Sequence, residues 1–199
     1  KKLSRGSIRL VALEDAEQIL DLYCSIIEED LYFATSVQDR CRTVEEQEHF
    51  IYKAINHSNS AAWVCCLDQE IIGSLFVLGG DLLRTHHRVE LEIQVAKEHR
   101  GLGIGHALMN TAIREMRKNS RVHKIQLSVL SDNIKAIDLY QRLGFEPWCC
   151  PSTSRFSPPS RRGRAPCHWR QACFREASPC RSCRLCWPQS RRPSIWVRR

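Results

Sequence analysis

Six consecutive residues, Arg100-Gly101-Leu102-Gly103-Ile104-Gly105, carry the strongest chemical signal in this 199-residue chain. Glycines at this spacing let successive backbone N–H groups converge. A helix starting directly behind them adds partial positive charge. The ligand suited to such a nest is a phosphate, above all a pyrophosphate. The alternative is a tight strand-to-helix turn in which each glycine takes an awkward dihedral. Two other phosphate patterns fail on spacing. A dinucleotide fingerprint, G-x-G-x-x-G, would need glycine where His106 or Leu108 stands. A Walker loop ends in G-K-[ST], which the chain does not contain.

Metal chemistry is less well supported. His86, His87 and His99 read as loop residues, since the front of the chain offers no further ligands at tetrahedral spacing. Near the end, Cys180-x-x-Cys183-x-x-Cys186 follows Cys167-His168 and Cys173. Thiolates at that spacing suit zinc, but the pairing is irregular and cysteine is common throughout the segment. No metal is expected.

The elements that must position the glycine turn can be read around it. Residues 89–95 alternate strictly, with Val89, Leu91, Ile93 and Val95 on one face and Glu90, Glu92 and Gln94 on the other. That is a strand with one buried face. Behind the turn, Ile104, Leu108, Met109, Ala112, Ile113 and Met116 form one side of a helix. Residues 122–130 read as another strand. Ser131-Asp132-Asn133 offers cap residues for a helix running to Leu143, and Gly144 suits its left-handed end.

Upstream, residues 7–11 form a candidate first strand. Glu14 and Asp15 open a helix with Ala16, Ile19, Leu20, Tyr23, Ile26 and Ile27 inward. Thr43-x-x-Glu46 is a capping box before a second helix, with Phe50, Ile51, Ala54 and Ile55 inward. The apolar runs 61–67 and 71–78 predict a hairpin. The order β-α-α-β-β-β-α-β-α is an α/β layer pattern on a mixed sheet.

Composition divides the chain near residue 147. Residues 1–147 carry a net charge of −3 and residues 148–199 one of +11, with twelve Arg, no Lys and one acid, Glu176. All eight prolines lie at Pro147 or later. The basic balance therefore belongs to the last quarter, which excludes a uniformly basic nucleic-acid binder. No apolar run reaches the roughly 18 residues of a membrane span, and no signal peptide is read at the start. The chain opens on Lys1 without Met, so the natural start is expected elsewhere. Adjacent Cys65 and Cys66 in an apolar run read as buried thiols, which fits a reducing, cytoplasmic setting.

Arg-Gly-Leu-Gly-Ile-Gly after the strand Leu91-Glu-Ile-Gln-Val95 resembles the R/Q-x-x-G-x-G/A signature of the GNAT acetyltransferases. The segment Asn133-Ile-Lys-Ala136-Ile-Asp-Leu139-Tyr140-Gln-Arg-Leu143-Gly144-Phe145 is similar to that family's N-x-x-A-x-x-L-Y-x-x-L-G-F helix. Both motifs occur in order, across one strand, and the resemblance covers about residues 6–147.

The resemblance implies acetyl-CoA as co-substrate. It places the pyrophosphate on Arg100, Gly101, Leu102, Gly103, Ile104 and Gly105. The pantetheine arm falls along the backbone of Ile93, Gln94 and Val95, and Asn133 contacts the cofactor. Tyr140 is the implied acid for the departing thiolate. A phenol stays protonated at neutral pH and lies two helical turns from Asn133, on the same face; the alternative is a core aromatic. A backbone N–H on the strand would stabilise the oxyanion. The base that some members carry falls on Ser128 and is absent. Glu90 and Glu92 are the remaining candidates, with a solvated strand face as the alternative.

The expected fold is thus α/β: a GNAT-like mixed central sheet flanked by helices, with a disordered basic C-terminal tail. Residues 1–147 form the acetyl-CoA-binding domain, with the family's last two strands apparently missing. Residues 148–199 form an Arg/Ser/Pro/Cys-rich tail without strand alternation. The expected function is acetyl transfer to a primary amine, of a peptide, a protein or a small molecule, by direct attack in a ternary complex. The alternative is an impaired acetyl-CoA-binding remnant, or a protein binding RNA or other polyanions through its tail. No membrane partner is expected, and neither the acceptor nor the oligomeric state is specified.

Overall fold

The computed structural model describes residues 6–29, 43–80, 82, 84–147 and 166–171. Among the described residues, seven strands form one sheet in the order β1-β2-β3-β4-β5-β7-β6. They are β1 (Ser7–Leu10), β2 (Ala61–Leu67), β3 (Glu70–Gly79), β4 (Arg88–Val95), β5 (Lys124–Leu130), β6 (Phe145–Pro147) and β7 (Pro166–Gln171). Four α-helices stand among the described residues: α1 (Ala16–Glu28), α2 (Val44–Asn56), α3 (Ile104–Lys118) and α4 (Ile134–Arg142). All strand pairs are antiparallel except β4 with β5.

The sheet carries a core on each face. On one side α3 and α4 bury Ile104, Leu108, Met109, Ala112 and Tyr140 against Leu75, Val89, Leu91 and Ile125. On the other, α1 and α2 bury Ile19, Leu22, Ile51 and Ala54 against Val64, Ile71 and Phe76. The alternation of β2 to β4 feeds both cores from one sheet, as a three-layer sandwich requires. Between β2 and β3, Asp68 and Gln69 take φ of 48° and 72°. Two successive left-handed residues make the tight turn whose twist matches a hairpin, here without glycine.

Two expectations need correction. Ile55 is 44% exposed instead of inward, while Gln47 takes a buried place on α2. More consequentially, the sheet does continue after residue 147. Strand β7 inserts between β5 and β6, pairing Leu127 with Trp169 and Glu146 with Arg170. Pairing uses backbone groups that every non-proline residue supplies, so it needs no apolar alternation. Pro166 stands at the first position of the strand, where a missing N–H is tolerated. The rest of residues 148–199, with the cysteine triplet and most of the arginines, lies outside the described residues.

Candidate active site

The site begins where strand pairing stops. β3 and β4 pair over seven residue pairs, from Gly73 with Val95 to Gly79 with Val89. β4 and β5 pair only through Arg88, Val89 and Glu90 with Lys124, Ile125 and Gln126. Beyond Glu90 the two parallel strands part, and β5 continues beside β7 instead. A gap therefore opens in the middle of the sheet, at the C-terminal end of β4.

The backbone groups facing that gap follow from register. Ala96 N–H donates to the Ile72 carbonyl at 2.9 Å, and Gly80 N–H to the Arg88 carbonyl at 3.4 Å. In an antiparallel ladder that phase turns the even residues of β4 toward β3. Leu91, Ile93 and Val95 then direct N–H and C=O to the side that β5 has left. The Val95 carbonyl accepts from Arg100 Nε at 2.9 Å. Gln94 engages β3 with its backbone, and its side-chain Oε1 accepts from Ser74 Oγ at 3.5 Å.

The glycine turn caps the gap. Gly101 and Gly103 have φ of 77° and 89°, and a Cβ at either would meet nothing within 4 Å. These positions thus need glycine for their backbone angle and stand beside open space. Gly103 is the N-cap of α3 and brings no side chain to it. No acceptor among the described residues takes the N–H groups of residues 101–106. Arg100 differs from the rest of the turn. Its own N–H donates to the Lys97 carbonyl at 3.3 Å, and its guanidinium meets Glu29 at 2.8 Å through both terminal nitrogens. Leu102 is 40% exposed, whereas Ile104 anchors the turn in the core.

Gly105 marks the convergence of the site. A Cβ there would stand 3.3 Å from Leu139 Cδ2, 3.8 Å from Ile93 Cδ1 and 3.9 Å from Val95 Cγ2. The turn, the end of β4 and α4 thus meet at one point, one residue from Tyr140. Asn133 is the N-cap of α4, its Oδ1 accepting from Ala136 N–H at 3.2 Å. The Tyr140 ring is buried, with its centroid 6.0 Å from that of Phe145. Burial pushes its phenol up to about 12. No described residue hydrogen-bonds its hydroxyl.

The other face of β4 looks toward α1 and α2. A narrow cavity there is lined by Ile19, Tyr23, Gln47, Phe50, Phe76, Glu92 and Gln94. Glu90 and Glu92 are both exposed. Glu90 stands at the last paired level of β4 and β5, and Glu92 stands beyond it, beside the gap. Tyr23 and Gln47 join the predicted Glu92 and Gln94 here; only the apolar period of α1 singles out Tyr23. Among the described residues no group of three His, Cys, Asp or Glu side chains could hold a metal ion. No helix among them is long and apolar enough to cross a membrane.

Comparison with known proteins agrees with this geometry. The chain is similar to the L-amino acid N-acetyltransferase AaaT of Escherichia coli (strain K12), at 32% identity over 83 residues, 42% of this chain and 51% of that protein. The match thus spans about half the length of that curated relative. Among solved structures, an acetyltransferase of the GNAT family from Streptococcus pneumoniae superposes with a TM-score of 0.74 at 22% identity, covering 84% of this chain and 99% of that one. The yncA structure from Salmonella typhimurium, solved with its cofactor acetyl-CoA, gives 0.73 at 18% identity, covering 88% and 98%. At these identities the superpositions establish the fold. The sequence profile of the Acetyltransferase (GNAT) family matches residues 25–145, more than half of the chain. This protein therefore belongs to the Acetyltransferase (GNAT) family.

Proposed function

We propose that this protein transfers an acetyl group from acetyl-CoA to a primary amine, by direct attack with both reactants held at the gap between β4 and β5. One observation carries the reading: the parting of these strands coincides with the unpartnered amides of residues 101–106. Such a nest fits a pyrophosphate, and the open space at Gly101 and Gly103 leaves the cradle unfilled by protein. When bound, acetyl-CoA supplies a reactive acetyl thioester.

Each residue then has a definite task. The amides of residues 101–106 hold phosphate oxygens, with Arg100 supporting the turn. The N–H groups of Ile93 and Val95 bind the pantetheine amides. Gln94 contributes from the opposite face, because its backbone is engaged by β3. An N–H on the open edge of β4 also faces negative charge as it develops on the carbonyl oxygen, a contribution of about 3–4 kcal/mol. Asn133 spends Oδ1 on its helix and keeps Nδ2 for the cofactor. Tyr140 keeps its proton at neutral pH and gives it to the departing thiolate.

Glu92 is better placed than Glu90 to receive the amine's proton. It borders the gap and shares a cavity with Tyr23 and Gln47, whereas Glu90 sits where the sheet is still closed. Acid and base thus approach from opposite faces of β4. The name of the E. coli relative supports an amine acceptor. Strand β7 covers the outer edge of β5, so the sheet beside the gap is continuous.

The test is release of free CoA from acetyl-CoA by the full chain, with a panel of primary amines. Amine-dependent release is the expected result. Binding without release would reduce the protein to a cofactor-binding module, and absence of binding would overturn the reading.

A further inference from the structure

Arg100 opens the glycine turn, yet its polar groups point away from it. Its N–H donates to Lys97, its Nε to the Val95 carbonyl, and its two terminal nitrogens to the two oxygens of Glu29. Glu29 immediately follows α1, 71 residues away in sequence, and its side chain is only 12% exposed. Beside the pair lies a cleft of about 340 Å³ lined by Ser25, Glu28, Glu29, Lys97 and Glu98. Among the described residues only polar and charged side chains line this cleft, and the bidentate pair ties the end of α1 to residues 95–100 across it.

We infer that Glu29 is a positioning residue for the glycine turn, acting through Arg100, and that the Arg100 cation is a clamp and not a phosphate ligand. This rests on the acetyl-CoA reading of the same turn. A two-pronged carboxylate pair with a third bond to a carbonyl fixes the guanidinium in plane, which a point charge cannot reproduce. The clamp joins three elements: the last residue of β4, the first residue of the turn, and the end of the helix whose Ile19 and Tyr23 line the opposite cavity. The turn's start is thereby held in register with the acceptor side of the sheet.

Calorimetric titration of the full chain with acetyl-CoA separates clamp from ligand. Glu29→Gln, Arg100→Lys and Arg100→Ala should each weaken binding, roughly 5- to 10-fold. The pair Glu29→Gln/Arg100→Ala should be no weaker than Arg100→Ala alone, as coupled residues behave. The KM for acetyl-CoA should rise while kcat stays within about twofold, a split that general damage to the fold would not give. Parent-like affinity in Arg100→Lys beside a loss in Arg100→Ala would make Arg100 a phosphate ligand and overturn the inference. Unchanged or tighter binding in Glu29→Gln would do the same. If the parent binds no acetyl-CoA, the proposed function falls, and hydrogen exchange decides the clamp. The amides of Ala96, His99 and Arg100 should then exchange about tenfold faster in Glu29→Gln and Arg100→Lys, with Val64 and Val77 unaffected. Equal rates there would remove the clamp.

Discussion

The starts of α2 and α3 solve the same problem in opposite ways. Every helix begins with N–H groups that lack intrahelical partners. At α2, Thr43 Oγ1 accepts from Glu46 N–H at 3.3 Å, and Glu46 Oε2 accepts from Thr43 N–H at 3.0 Å. At α3, Gly103 stands in the capping place with no side chain, and the amides around it are left open. The start of α2 is finished by its own side chains, whereas the start of α3 leaves its amides for the phosphate of the proposed function. Asn133 caps α4 as Thr43 caps α2, and α1 starts without a side-chain cap as α3 does, but only α3 begins in a glycine turn beside open space.

That contrast can be broken at its stronger end. Gly103→Glu should abolish acetyl-CoA binding, by more than about 10²-fold, because a carboxylate would enter the nest and repel phosphate. The left-handed backbone adds a cost of about 1–2 kcal/mol. Gly103→Ala carries that cost without the charge and serves as the control. Calorimetry is the measurement, and equal affinity in a folded Gly103→Glu protein would remove the nest from the site.

Between these extremes lies α4, capped by Asn133 but carrying Tyr140. If its helix is structurally complete, Tyr140 should matter for chemistry alone. Tyr140→Phe should lower kcat on the order of 10²-fold with KM for acetyl-CoA little changed. Because burial holds the phenol at about 12, the parent's kcat should show no loss from Tyr140 ionisation up to pH 10. Steady-state kinetics across pH would check both, and a kcat within twofold of the parent would make Tyr140 a core residue.

At the capped end, Thr43→Ala should cost about 1 kcal/mol of stability. Acetyl-CoA affinity should be unchanged. Denaturant titration beside calorimetry tests the pair of statements. A loss of affinity without loss of stability would erase the distinction between the two helix starts.

The smallest expected effect is at the entrance to α1. The hydrogen bonds from Arg9, at 2.7 Å to each carboxylate oxygen, outweigh burial and hold the Asp15 carboxyl below its ordinary range. The Ala12 N–H adds to that at 2.8 Å. A depressed folded value means that stability is present above the unfolded value of about 4 and is lost as pH falls through the folded one. The parent's Tm should therefore drop more steeply below pH 4 than that of Asp15→Asn. Parallel curves would show that the ion pair contributes nothing.

These features were unequally legible in the sequence. The alternation from Val89 to Val95, the apolar side of α3 and the Thr43 capping box are local patterns, and each is present as read. The glycine turn was equally clear, because left-handed dihedrals leave few residues to choose from. Ile55 lies outside the core because helical periodicity gives a stripe, while tertiary packing sets its width. The point where β4 and β5 part depends on what β5 pairs with next, 40 residues further on. The Arg100–Glu29 pair spans 71 residues, and two common charged residues signal nothing at that distance. Strand β7 has no sequence signal because the sheet requires only its backbone, not a pattern of side chains.

The place of β7 between β5 and β6 also constrains the order of assembly. The last described strand to be synthesised is an interior one. A chain emerging from the ribosome can build β1 to β5 and all four helices, yet β6 has no neighbour until residues 166–171 arrive. Until then the outer edge of β5 is exposed to any extended segment within reach. Closing the sheet therefore depends on a late, long-range insertion, which slows folding and lengthens the period in which two nascent chains can pair with each other. A fragment ending at Pro147 would remain at that stage for good.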